Sequence, residues 1–201
     1  MKYSYLALGD SYTIGEQVLF EENFPHQTAA LLQQWAIEIE APQIIAQTGW
    51  TTDELDTAIT AAAVTGQFDI VSLLIGVNNQ YRGRTVSNYK IEFEQLLQRA
   101  VQFTGNKPNH VFVISIPDWG VTPFAAGRDS EQITAEIDAY NKTCEAGAEQ
   151  CGAHFINITT SQRADGSKDD FLATDKLHPS AKEYAKWAIQ LSAAIKNEMS
   201  R

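Results

Sequence analysis

Cysteine is nearly absent from this chain. Cys144 and Cys151 are the only two in 201 residues, too few for a disulfide framework. They stand seven apart in a stretch of helical periodicity, which sets their Cα atoms about 10 Å apart along a helix and beyond bridging reach. Both are read as reduced thiols, and neither has a second Cys or a His at metal-ligand spacing. Basic residues are also scarce: Lys and Arg number 15 against 25 Asp and Glu, a formal net charge of −10. No basic run occurs, which disfavours nucleic acid or an anionic membrane surface as a partner, since both need clustered Lys and Arg. No stretch approaches the roughly 18 apolar residues that cross a bilayer. Residues 1–4 lack the charged, apolar and small-residue succession of a secretory signal, so a cytoplasmic location is expected. There is no linker, repeat or low-complexity tract, and residues 1–201 read as one domain. Oligomeric state has no signature here.

What the chain does have is 44% hydrophobic residues, arranged as strands alternating with helices. Residues 3–8 form a short apolar strand, followed by a loop over 13–23. Asn23 and Pro25 open a helix whose apolar face is Ala29, Leu31, Leu32 and Trp35. A strand over 43–46 leads through a turn to a helix capped by Thr51 or Thr52 and ended by Gly66. Residues 68–75 are a near-continuous branched apolar run, as in a strand buried on both faces. A helix over 87–104, stopped by Gly105 and Pro108, precedes a second buried strand at 110–116. A helix from about 130 to 151 is closed by Gly152, and 153–158 is the last strand. A long polar loop over 161–177 then meets a final helix starting at Pro179. Five such alternations predict the α/β class, a parallel sheet with helices on both sides.

In a parallel sheet, the carboxyl ends of all strands share one edge, and ligands bind there. Four strand-end loops carry distinctive residues: Ser11 in Gly9-Asp10-Ser11, Gly49, Asn78 in Gly76-Val77-Asn78, and 117–119. Asp175 and His178 precede the last helix. Gly-Asp-Ser alone is also the composition of a common turn. Acyl transfer by a serine needs a base, a group orienting that base, and donors aimed at a developing oxyanion. Of the four histidines, His26 opens a helix, and His110 and His154 begin strands at the opposite edge. His178, its backbone fixed by Pro179, is the candidate base. Asp175 three residues earlier can accept from its Nδ1–H. Gly49 can expose a backbone N–H close to substrate, and the Asn78 amide can donate without carrying charge. Trp50, Tyr81, Arg82, Trp119 and Phe124 stand on the same loops as candidate pocket residues. Arg82 suits either an anionic substrate group or a surface acid.

Gly9-Asp10-Ser11, Gly49, Gly76-x-Asn78 and Asp175-x-x-His178 occur in the order and spacing of the SGNH hydrolase (GDSL esterase/lipase) superfamily. The chain resembles that family over nearly its whole length. The resemblance implies a three-layer α/β/α, flavodoxin-like fold with a five-stranded parallel sheet of order 2-1-3-4-5. It implies Ser11 as nucleophile, His178 as base and Asp175 as its orienter, with an oxyanion hole from the Ser11 and Gly49 N–H groups and the Asn78 side chain. One position departs: the family's third block commonly reads Gly-x-Asn-Asp, and Asn79 stands here, which bears on local loop bonding. Asp10 is read as bracing the turn that presents Ser11.

The expected function is therefore hydrolysis of a carboxylic ester through an acyl-enzyme, with a small-molecule ester as partner (a lipid or acylated sugar among the options) and no metal or organic cofactor. An acyltransferase or thioesterase using the same groups is the first alternative. A flavodoxin-like module binding an anionic ligand is the second. It leaves Asp175 and His178 without a task and lacks a phosphate-cradling glycine loop.

Overall fold

The computed structural model describes residues 2–200. Its strands are β1 (Tyr5–Asp10), β2 (Gln43–Gln47), β3 (Ile70–Leu74), β4 (Val111–Ile114) and β5 (His154–Ile156). They form one parallel five-stranded sheet in the order β2-β1-β3-β4-β5. The helices are α1 (Ser11–Ile14), α2 (Phe24–Gln34), α3 (Thr52–Ala61), α4 (Val77–Tyr81), α5 (Val86–Phe103), α6 (Ser130–Cys151), α7 (Thr159–Asp165) and α8 (Ala181–Met199). Among the described residues no helix is long and apolar enough to cross a membrane.

The order of the strands dictates where the helices go. Right-handed crossovers to β2 and from β2 onward leave the sheet in opposite directions, so α2 falls on one face and α3, α5 and α6 on the other. The packing agrees: α2 lies against α8, while α3 lies on α5 and α5 on α6. Sandwiched between these layers, β1, β3 and β4 are buried at every residue, which explains their continuous apolar runs. The edge strand β2 alternates instead, with only Ile45 buried. The reversal of direction falls between β1 and β3, where a crevice opens at the carboxyl ends.

Several boundaries differ from the sequence reading. β3, β4 and β5 are shorter than 68–75, 110–116 and 153–158, because only their centres have ladder partners; His110 belongs to a one-turn 3-10 segment. α3 stops at Ala61 because Ala63 turns left-handed at φ 46°, ahead of Gly66. The loop over 13–23 holds the end of α1 and a 3-10 turn at Phe20–Glu22. The polar loop over 161–177 begins inside α7, a helix with no apolar face. Polar bonds hold it: Thr159 to Ser115 Oγ, Gln162 to the Asp118 backbone, and Arg163 to Asp118. Periodicity cannot reveal such a helix.

The β1–α1 turn is the tightest junction in the fold. Gly9 is required there by close approach. A Cβ on it would stand 2.1 Å from Thr13 Oγ1 and 2.4 Å from the Leu74 carbonyl. Asp10 caps the turn, its Oδ1 accepting from Tyr12 N–H at 3.0 Å. That carboxyl is fully buried, and burial pushes its pKa up to about 7, against the opposing bonds from Tyr12 and Asn78.

Two predictions follow from this junction. Gly9→Ala should lower the unfolding free energy by about 1–3 kcal/mol, as overpacking does, read as a lower denaturant midpoint at constant m; an unchanged midpoint would mean that α1 sits farther from the sheet. For Asp10, a folded pKa above the unfolded one means tighter proton binding in the folded state. Its contribution is then fully present below about pH 4 and is lost as pH rises through about 7. Asp10→Asn keeps the capping oxygen and removes this loss. The stability of the variant relative to wild type should climb between those pH values by on the order of a few kcal/mol. Parallel stability curves would contradict it.

Candidate active site

Ser11 is the first residue of α1 and follows directly on β1, so its hydroxyl stands at the crevice between β1 and β3. It is buried, at 4% exposure. Its Oγ lies 3.0 Å from His178 Nε2. On the other side of the ring, His178 Nδ1 lies 2.6 Å from Asp175 Oδ2. The Asp175 Oδ1 atom accepts the backbone N–H groups of Leu177 and His178, each at 3.0 Å. One carboxylate thus shapes the turn that carries the histidine and orients the ring. A backbone bond from Ala173 N–H to the His178 carbonyl and a bridge between Leu172 and Pro179 close the loop around it. The Tyr12 ring packs on the imidazole with centroids 5.0 Å apart. Partial burial pushes the Asp175 carboxyl up, but the bonds from the His178 ring, the two N–H groups and the His178 charge together hold it below its ordinary value.

Gly49 follows β2 in a left-handed conformation, φ 85°, that a side chain would resist. Its carbonyl accepts from Arg82 Nη2 at 2.6 Å, and Arg82 Nη1 pairs with Glu54 at 3.2 Å. Of the two roles open to Arg82, it has the surface acid, and it also clamps the second loop. Asn78 lies on α4, and its Nδ2 donates to the Trp50 carbonyl at 3.0 Å and, in a longer contact, to Asp10 Oδ2 at 3.4 Å. Asn79 turns away from the crevice and is buried. Its Oδ1 accepts from Thr52 N–H at 3.1 Å, and its Nδ2 donates to Thr52 Oγ1 at 2.6 Å.

A cavity of about 220 Å³ opens beside Ser11, lined by Tyr12, Thr48, Gly49, Val77, Asn78, Tyr81, Trp119, Phe124, Leu177 and His178. Of the candidate pocket residues, Tyr81, Trp119 and Phe124 face it. Trp50 and Arg82 do not: Trp50 packs on the core and Arg82 is held by Gly49 and Glu54. Trp119 is buried and its Nε1 donates to Gln80 Oε1 at 2.7 Å, which fixes the ring. The Tyr81 and Phe124 rings meet it edge-on at 5.3 and 6.1 Å. Tyr12, Thr48, Val77 and Leu177 complete the lining; their one signal in the sequence is adjacency to Ser11, Gly49, Asn78 and His178, and Gln80 carries none. A larger groove of about 570 Å³ runs along α5 and α6, lined by residues such as Lys90, Glu94, Gln98 and Gln150. It shares no residue with the strand-end loops.

A profile of the GDSL-like Lipase/Acylhydrolase family matches residues 7–186. No curated protein sequence matches the chain significantly. Among solved structures, TesA superposes with a TM-score of 0.75 at 16% identity, over 97% of this chain and 99% of that one. The psychrotrophic esterase EstA from Pseudoalteromonas sp., inhibited by monoethylphosphonate, gives 0.71 at 17% identity over 100% of both chains. An acetylxylan esterase from Geobacillus stearothermophilus gives 0.72 at 17% identity, over 99% of this chain and 94% of its own. These likenesses concern the fold. The profile covers most of the chain, from the middle of β1 into α8, and the chain therefore belongs to the GDSL-like lipase/acylhydrolase family of hydrolases.

Proposed function

We propose that the protein is a serine esterase that cleaves carboxylic esters through an acyl-enzyme. The observation that carries this reading is the continuous contact from Ser11 Oγ to His178 Nε2 at 3.0 Å and from His178 Nδ1 to Asp175 Oδ2 at 2.6 Å. His178 Nε2 takes the proton as Ser11 Oγ attacks the ester carbonyl carbon. Asp175 accepts from Nδ1–H, which keeps the basic lone pair on Nε2 and balances the imidazolium charge. The carbonyl π electrons move onto oxygen. That oxyanion is met by the Ser11 and Gly49 N–H groups and by Asn78 Nδ2, whose hydrogen toward Asp10 is in the longer contact and is the one that turns to the oxyanion. Collapse expels the alkoxide, which takes the proton from His178. Water then attacks the acyl carbonyl carbon with His178 again as base, and collapse breaks the bond to Ser11 Oγ, which takes the proton back from His178 as the carboxylic acid leaves. The Arg82 clamp on the Gly49 carbonyl, at 2.6 Å, holds the second donor in place before substrate arrives.

Ser11→Ala should abolish hydrolysis of short p-nitrophenyl esters while leaving the unfolding transition intact; full turnover by that variant would remove Ser11 as nucleophile. Asp175→Asn should lower kcat by roughly 10³–10⁴, since the amide can donate to Nδ1 and favours the wrong tautomer. It should also weaken the turn, because Oδ1 accepts two backbone N–H groups. Asn78→Ala should cost about 2.7–4 kcal/mol of transition-state stabilisation, the scale of one oxyanion donor, seen in kcat more than KM. A loss confined to KM would place Asn78 in ground-state binding instead.

A further inference from the structure

The arginines of the described residues are Arg82, Arg84, Arg99, Arg128 and Arg163. All but Arg128 pair with an aspartate or glutamate. Arg128 has no carboxylate partner among the described residues, in a chain of net charge −10. Its guanidinium lies over three aromatic rings instead, with Cζ 5.0 Å from the Tyr81 centroid, 5.1 Å from Trp119 and 5.7 Å from Phe124. Its Nη2 donates to Tyr81 Oη at 3.0 Å. The same three rings line the cavity beside Ser11. The backbone there is fixed: Arg128 N–H donates to the Ala125 carbonyl at 2.9 Å, and Asp129 caps α6.

A guanidinium stacks through its faces and donates through its edges. The three rings hold the Arg128 guanidinium beside the wall, outside the cavity's own lining, and one N–H goes to Tyr81, which leaves it further donors. An acidic protein repels anions, and a cation without a carboxylate partner beside the wall reverses that field locally. The wall is otherwise apolar. An apolar slot with one cation packed against its aromatic wall complements an ester that carries a negative charge on the portion lying along that wall.

We propose that Arg128 determines specificity by selecting esters that bear a carboxylate or similar anionic oxygen group on the portion lying along the Tyr81–Trp119–Phe124 wall. The proposal rests on the serine-esterase reading of the neighbouring site. If Arg128 only covers the rings, the slot takes neutral groups and the charge has no effect on choice.

Two matched substrate pairs test it. On the acyl side, p-nitrophenyl butyrate is compared with p-nitrophenyl hemiglutarate; on the alcohol side, phenyl acetate is compared with para-acetoxybenzoate. The readout is the anionic-to-neutral ratio of kcat/KM, which cancels any general loss from changing the residue. In at least one pair Arg128→Met should lower that ratio about tenfold, the scale of one charge-assisted hydrogen bond. Arg128→Lys should keep part of it, having the charge without the planar fork. Added salt should compress the wild-type ratio and leave that of Arg128→Met unmoved. Ratios unchanged by Arg128→Met in both pairs overturn the proposal. Failure of wild type to cleave any of these esters overturns the esterase reading instead. Binding of glutarate and benzoate, followed by tryptophan fluorescence, then decides on Arg128: equal affinities for wild type and Arg128→Met overturn its role.

Discussion

The oxygen of Thr13 occupies the space that a side chain at residue 9 would need, and the Leu74 carbonyl closes the same space from β3. Ser11 inherits its position from that contact. Because α1 starts immediately above the sheet, Ser11 is placed on a rigid strand end and not on a free loop, and α1 is capped by the residue just before it. The cost is visible nearby: Thr13 Oγ1 is buried without a hydrogen-bond partner, an arrangement that ordinarily destabilises. Here it accompanies a junction too tight to admit a side chain at residue 9.

Asp10 precedes Ser11 in the chain and Asp175 is bonded to His178, and the two carboxyl groups are driven in opposite directions. Burial raises Asp10 to about 7, against the backbone N–H groups of Tyr12 and of Asp10 itself and a long Asn78 contact. Asp175 is more open to solvent and accepts three bonds, and these keep it below its ordinary value. Separate environments push two similar carboxyl groups apart, so that only one is firmly anionic beside the imidazole. The bracing role read for Asp10 from the sequence agrees with its bond to Tyr12 N–H.

The parts of this structure legible in the sequence are those fixed by apolar burial or by punctuation. The runs that became β1, β3 and β4 are buried on both faces, and α6 carries both its cap, Asp129, and its stop, Gly152. What stayed hidden rests on polar bonding between distant residues. α7 is held by Ser115, Asp118 and Asp138, partners some 25 to 45 positions away that no window can connect to it. The same holds at the site. Ser11 and Asn78 belong to short motifs at strand ends and Asp175 and His178 to one just before the last helix, whereas the division of Tyr81, Trp119 and Phe124 from Trp50 and Arg82 depends on where each loop folds. Arg82 and Trp50 share the active edge, yet the first is drawn to Glu54 and the Gly49 carbonyl, and the second is packed into the core.

Asn79, which departs from the family's usual aspartate, is explained by what surrounds it. Glu92 on α5 reaches the same cluster: it accepts from Thr52 Oγ1, from Asn79 Nδ2 at 3.4 Å, from Asn88 at 2.7 Å and from Arg84 at 3.3 Å. Thr52 in turn receives the second bond of Asn79 at 2.6 Å and gives its backbone N–H back at 3.1 Å. The amide is thus both donor and acceptor in a chain that ends on a carboxylate. An aspartate at 79 would replace the donor with a second acceptor facing Glu92, two like charges in a partly buried cluster. With Glu92 in place, asparagine is the residue that can satisfy both neighbours. The negative charge of this cluster stands on Glu92 of α5. The network ties the third loop to the start of α3, and through Trp50 and Gly49 it ties the Asn78 donor to the second loop.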